Sequence, residues 1–295
     1  MLPHPTGRRP TLFPPPTGAR AGWYPDPYGQ PFARYYDGYR WSPYTAPLPP
    51  PPPPPPVEHP SLPFPVVIGA VAILAGSLIG SRFLLDALID RDWPVPVLMA
   101  VSVVVGYAPS VAWLWYASRR WGSGRPFADL GVSFRWVDLA WGPLIWLATI
   151  AAMGIVLNTA KAVGIPYRGN LDLDLIDGLS TVVADVNRTA VVSLVVSAVI
   201  CAPVVEEAIF RGAVLRGLLS KMPAIPAIGV QGVLFGSAHF NPDFGRDNIG
   251  LLLVLSVSGI GFGVASYLLR RVGPTIIAHA VMNGVAVSVA IAQAS

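Results

Sequence analysis

Pro203-Val-Val-Glu206-Glu207-Ala-Ile-Phe210-Arg211-Gly212 follows an apolar run, Ala190 to Ala202, broken only by Ser193 and Ser197. A segment suited to lipid therefore ends in two adjacent carboxylates. On insertion scales a charge at the centre of a membrane helix costs about 2.5–3.5 kcal/mol. Something must offset that cost, and an ionisable residue at such depth is a functional candidate by default. On a helix Glu207 and Arg211 are i and i+4, so they face each other and can pair. Glu206 points about 100° away from Glu207. One carboxylate has a local partner and the other is left for a different task.

The chain has four histidines. His4 and His59 lie in a proline-rich tail, whereas His239 and His279 lie in apolar segments. Phe235 precedes His239 by one helical turn, and Asn283 follows His279 by one turn on the same face. One Glu, two His and one Asn on three separate apolar segments form a candidate catalytic constellation.

Three patterns now stand in order: Glu-Glu-x-x-x-Arg (Glu206, Glu207, Arg211), Phe-x-x-x-His (Phe235, His239) and His-x-x-x-Asn (His279, Asn283). Together, with Pro203 before the Glu pair and Phe210-Arg211-Gly212 after it, they resemble the CAAX-protease and bacteriocin-processing family, also called CPBP or Abi. The resemblance covers residues 190–293. It implies an intramembrane endopeptidase related to the type II CAAX prenyl endopeptidase.

Composition agrees with a membrane protein. The 295 residues are 53% hydrophobic and 12% charged, with mean hydropathy +0.54. That describes an all-α polytopic chain and not a soluble domain. A net charge of +4 fits loops lying on an anionic membrane better than nucleic-acid binding. The single Cys201 excludes an intrachain disulfide and a multi-cysteine metal site. Arg8-Arg9 is followed by prolines and not by an apolar stretch, so it is not a twin-arginine signal.

Along the chain, 1–20 reads as a disordered tail. Residues 21–45 form a small aromatic module, with Asp37-Gly38 as a hairpin signal between aromatic runs. Its Gly-Trp-Tyr-Pro-Asp-Pro start and Asp-Gly-x-x-Trp end resemble a short domain of unknown function found on bacterial membrane proteins. A protein partner is the expected use of such a module. Residues 46–63 are a linker in which Pro49 to Pro56 is unbroken, a stiff polyproline II spacer.

The transmembrane domain is 64–295, with the protease-like core at 190–293. Seven spans are expected, at about 64–86, 94–118, 137–161, 189–211, 224–241, 249–270 and 273–293. Basic connections alternate with acidic or mixed ones, which predicts a multi-pass plasma-membrane protein with a cytoplasmic N-terminus. Trp93, Trp113, Trp115, Trp136, Trp141 and Trp146 fall near several expected ends, as an interfacial belt would. For His239 to meet Glu206, the 240–248 connection must dip into the membrane and not reach the outer surface.

The chemistry of the residues suggests roles. Glu206 suits a general base that activates water for attack on a peptide carbonyl. His239 would share in that activation. His279 and Asn283 would polarise the scissile carbonyl. Glu207 and Arg211 would orient the helix, and Phe235 would wall the cavity. Gln231, one turn before Phe235, is a further cavity-lining candidate. Glu206, His239 and His279 also satisfy the ligand count of a catalytic zinc, which would take Glu206 away from its role as base. The family resemblance implies a glutamate-dependent peptidase or a metallopeptidase acting on a membrane-resident peptide or protein, with membrane lipid as the other partner. Two non-proteolytic alternatives use the same residues. One is a peptide-binding or bacteriocin-immunity protein, and the other a proton-coupled transporter, which would need pseudo-symmetric halves.

Overall fold

The computed structural model describes residues 20–47, 62–169 and 188–294. The expected tail over 1–20 and the proline linker over 46–63 fall almost wholly outside these residues, as does most of the acidic connection over 162–188. The chain divides into two compact units, residues 1–57 and 58–295.

The first unit is a three-stranded antiparallel sheet in the order β1-β2-β3: β1 (Gly22–Pro25), β2 (Phe32–Tyr36) and β3 (Trp41–Pro47). The hairpin expected at Asp37-Gly38 joins β2 to β3. Asp37 accepts hydrogen bonds from the backbone N–H of Tyr39 and Arg40 at 2.8 and 2.7 Å. Gly38 holds φ at 99°, which a side chain would resist. Tyr24, Tyr36 and Trp41 cluster with ring centroids 5.2–6.4 Å apart. So small a core needs polar support. The buried Asp26 supplies it, accepting from Arg34 Nε at 2.5 Å and from the N–H of Tyr28 at 3.0 Å.

Burial acts to raise the Asp26 pKa. The hydrogen bond from Arg34, those from the backbone of Gln30 and Tyr28 and the charge of Arg34 outweigh it, so the carboxyl is held below its usual value. A depressed carboxylate contributes stability above its unfolded pKa of about 3.9 and loses it as pH falls through the folded value. The module is therefore expected to unfold on acidification below about pH 4. Asp26→Asn should shrink that acid step to the part due to Asp37, whose carboxyl the backbone N–H groups of Arg40 and Tyr39 hold low, and weaken the module at neutral pH. The indole NMR signals of Trp23 and Trp41, followed against pH in both chains, check this.

The second unit is helical: α1 (Phe64–Ile89), α2 (Val95–Trp121), the short α3 (Pro126–Asp129), α4 (Asp138–Ala162), α5 (188–219), α6 (Ala224–Ser237), α7 (Asn248–Leu269) and α8 (Gly273–Ala294). Six of these, α1, α2, α4, α5, α7 and α8, are long and apolar enough to cross a membrane. The remaining expected span, 224–241, is shorter than its hydropathy suggests. Its helix, α6, has 14 residues and reaches about 21 Å, short of the roughly 30 Å of hydrocarbon. A 3₁₀ turn, Pro242–Asp247, then returns the chain to α7.

That turn is pinned. Asn248 Nδ2 donates to the carbonyls of Asn241 and Gly245. Arg82 of α1 reaches Asn241 Oδ1 at 3.2 Å and Asp243 Oδ2 at 2.5 Å. Arg82 lies about two turns before the end of α1, so the connection stops short of that end.

α6 packs closely on α7 because the contact is built from small residues. A Cβ on Gly259 would lie 2.8 Å from Gly232 Cα, too near for any other residue at the crossing. The main core joins α1, α2, α5 and α6 through residues such as Val66, Leu74, Leu114, Ile209, Val214 and Phe235. The turn between α7 and α8 is tied to the start of α4, where the buried Asp138 accepts from Arg271 Nη2 at 2.5 Å.

Of the six tryptophans placed at expected ends, Trp136 is 90% exposed, as a belt residue would be. Trp113 and Trp146 turn inward instead. Trp113 Nε1 donates to the Val66 carbonyl at 3.1 Å, and Trp146 lines the central cavity.

Candidate active site

α5 carries the Glu pair and is irregular on both sides of it. Val196–Cys201 and Ala208–Leu215 are π-helical, and the α-helical turn between them, Ala202–Glu207, holds both carboxylates. Pro203 removes one backbone donor and crowds the preceding turn. A widened π turn upstream accommodates that inside a membrane helix.

The two carboxylates part as helical geometry requires. Glu207 is fully buried, and its Oε1 accepts from Arg211 Nη1 at 2.7 Å. The Arg211 guanidinium is itself fully buried, with its carbon 4.5 Å from the ring centre of Phe235 and 5.2 Å from that of Phe262. Arg211 Nη2 donates to the Gly259 carbonyl of α7 at 3.2 Å. The charge is thus held by one carboxylate, one carbonyl and two aromatic faces. Glu207 Oε1 also lies 3.0 Å from His279 Nδ1 of α8. An ionised carboxylate only accepts, so Nδ1 carries the proton and Nε2 is turned toward Glu206.

Glu206 faces a cavity of about 680 Å³ whose lining includes Tyr107, Phe235, His239, His279 and Asn283. Its Oε2 lies 4.0 Å from His239 Nε2 and 3.9 Å from His279 Nε2. His239 is not inside a helix, contrary to the span expected to 241. α6 stops at Ser237 and His239 stands on the turn beyond it. Its Nδ1 meets the Phe235 carbonyl at 2.9 Å. A carbonyl only accepts, so Nδ1 donates and Nε2 again faces the carboxylate. Phe235 packs beneath both rings, with centroids 4.9 Å from His239 and 5.8 Å from His279.

Asn283 also lines the cavity. One of its amide N–H groups is engaged, donating to the Ala198 carbonyl in the π-helical part of α5 at 2.7 Å. Gln231 does not line the cavity. It is fully buried in α6, with its Oε1 directed at Gly263 of α7.

One contact was not foreseen. Tyr107 of α2 donates a short hydrogen bond from its hydroxyl to Glu206 Oε1. The signal available in the sequence was a phenol in the middle of an apolar span, which needs a partner when buried, but nothing pointed to which one. Tyr107 also borders a second, apolar groove between α2 and α5, with Val104, Trp115, Ile200 and Cys201 among its walls.

A zinc ion would need these donor atoms closer together. Ligand atoms sharing a tetrahedral ion at about 2.0–2.2 Å each would lie closer together than the 3.9 and 4.0 Å found from Glu206 to the two histidines. Among the described residues no three His, Cys, Asp or Glu side chains are arranged to hold a metal ion. As placed, the residues do not fit zinc, and no step below runs through it.

Residues 188–285 match the family model described as type II CAAX prenyl endopeptidase Rce1-like. Residues 21–54 match a second model, a protein of unknown function (DUF2510). No curated protein and no solved structure matches the chain.

Proposed function

We infer, from the premise that residues 188–285 belong to the type II CAAX prenyl endopeptidase Rce1-like family, that this chain hydrolyses a peptide bond within the membrane through a water activated by Glu206. One observation carries the reading. Three side chains from α5, the turn after α6, and α8 converge, with Glu206 Oε2 about equally far from two imidazole Nε2 atoms. A water hydrogen-bonded to Oε2 and to an Nε2 spans separations of this size.

In this mechanism Glu206 takes the proton of the attacking water, and His239 helps orient that water. The remaining amide N–H of Asn283 donates to the carbonyl oxygen as it gains charge, and His279 joins it as an imidazolium, with Nε2 protonated as well as Nδ1. Glu206 then returns the proton to the leaving amine. The cavity is lined largely by apolar side chains, which admits a membrane-resident substrate and strengthens each charged contact. The substrate class is a peptide or protein held in or at the bilayer, with a prenylated C-terminus as the version the family description names. The N-terminus is placed in the cytoplasm and the chain in the plasma membrane, on the charge alternation of the connections.

The test is terminal-peptide mapping of membranes from cells expressing the wild type or Glu206→Gln at matched levels. New termini that vanish in the variant support proteolysis and name the substrates. Identical peptide sets would shift the reading to a binding or immunity protein with the same buried residues.

Tyr107 bears on the same mechanism. Its hydroxyl holds Oε1 and leaves Oε2 as the basic oxygen. Tyr107→Phe removes a hydrogen bond to a charged group, a term of about 1.5–3 kcal/mol. The turnover rate is expected to fall about 10- to 100-fold, and thermal stability should fall with it, because Glu206 Oε1 loses its partner. An unchanged turnover rate would make Tyr107 a packing residue.

A further inference from the structure

The N-terminal sheet has one face that its own core does not use. Directly opposed residues of an antiparallel pair point the same way. The register sets Trp23 against Tyr35, Pro25 against Ala33, and Ala33 against Ala46. These side chains therefore share a face. The core trio of Tyr24, Tyr36 and Trp41 clusters separately.

The shared face has a definite shape. Trp23 and Tyr35 meet edge-on, with centroids 5.4 Å apart and planes at 68°. Trp23 is 52% exposed, whereas Ala33 is 5% exposed. Aromatic walls thus stand beside a floor of alanine methyl groups. The face is also uncharged. Arg34 is engaged by Asp26, and Asp37 is paired with Arg40 at the hairpin.

An uncharged aromatic face over a small-residue floor does not suit a phosphate or an acidic peptide. It suits proline rings, which pack against aromatic faces. A polyproline II helix leaves its carbonyls unbonded, ready to accept from an indole N–H or a phenol. It arrives already ordered, so docking forfeits little entropy. This chain carries such a ligand, because Pro49 to Pro56 begins two residues after β3 ends at Pro47.

We propose that the module is a polyproline-binding domain whose occupant is the Pro49–Pro56 run of a second copy of this chain. The short connection disfavours binding to its own sheet. Only Leu48 separates strand from run, so a four-residue reversal would have to use the first prolines of the run. A sequence of eight prolines, each restricted to φ near −65°, favours a rod of roughly 25 Å over such a turn. The same connection keeps ligand and site side by side in every copy, so two copies can exchange runs reciprocally. Confinement to one membrane raises their effective concentration. The proposal is independent of the proteolytic reading.

Two measurements on the full-length chain test it. In the first, a labelled peptide of the Leu48–Pro56 sequence is titrated into detergent-solubilised chain whose own Pro49–Pro56 run is replaced by Gly/Ser. Saturable binding is expected, weaker by about tenfold or more in Trp23→Ala. Trp23 lies outside the Tyr24, Tyr36 and Trp41 cluster, and the NMR signals of that cluster report whether the sheet persists. In the second, energy transfer is followed between donor- and acceptor-labelled copies in phosphatidylcholine vesicles. It is expected to fall with Trp23→Ala, with the Gly/Ser run, and on adding the free peptide. Absence of peptide binding, or equal binding by Trp23→Ala with the sheet intact, overturns the polyproline site. Peptide binding with energy transfer indifferent to the Gly/Ser run overturns the second copy as occupant and leaves the run of another protein.

Discussion

Glu206→Gln is expected to lower peptide hydrolysis by about 10²–10⁴-fold, the range typical of a removed general base, while the chain stays folded. The amide is close to isosteric with the carboxylate, and its oxygen can still accept from Tyr107, which now donates to Glu206 Oε1. Oε2 is buried and, among the described residues, has no hydrogen-bond partner, so no structural contact is lost with its charge. A quantitative assay on a substrate found by terminal-peptide mapping, beside thermal unfolding in detergent, separates the two effects. Retained activity would remove Glu206 from the chemistry. A large fall in unfolding temperature would make its role structural.

The opposite pattern is expected one residue along. Glu207→Leu leaves the fully buried Arg211 without its counter-charge. Breaking a buried ion pair in this way costs about 3–5 kcal/mol. The variant is expected to unfold far below the wild type or to fail to accumulate. Removing both charges is a different experiment. In Glu207→Leu with Arg211→Met no unpaired charge remains, and apolar replacements of buried pairs are often neutral or stabilising. Much of the stability should return, provided the new side chains fill the space between Phe235 and Phe262. Activity should not return, because His279 Nδ1 has lost the carboxylate 3.0 Å away that sets its tautomer. A double variant that is both stable and fully active would reduce Glu207 to a helix-orienting role.

This last point separates what was legible in the sequence from what was not. The spacing of Glu207 and Arg211 implied their pairing, because i and i+4 face each other on any helix. It gave no hint that the same carboxylate holds His279, 72 residues away. That link depends on α8 lying beside α5, and local periodicity carries no information about which helices are neighbours. Tyr107 illustrates the same limit. Its hydroxyl demanded a partner, but α2 could have met any polar group in the bundle. The short α6 was misjudged for a further reason. The residues to 241 are apolar enough to continue a helix, but Asn241, Asn248 and Arg82 make better hydrogen bonds in a turn, and only the packed structure shows Arg82 within reach.

By itself the sequence determined the helical membrane class, the hairpin at Asp37-Gly38, the Glu207–Arg211 pair and the set of polar residues with no reason to be in lipid. Each follows from local periodicity, turn chemistry or the cost of burying charge, which act over a few residues at a time. The tertiary structure alone decided that Glu206 Oε2 stands between two imidazoles, that Tyr107 occupies its other oxygen, that Asn283 is tied to Ala198, and that α6 turns back at Ser237. Those outcomes depend on the close crossing at Gly232 and Gly259 and on a turn held by Arg82. They are contacts between distant segments, whose energies exist only once the helices have packed.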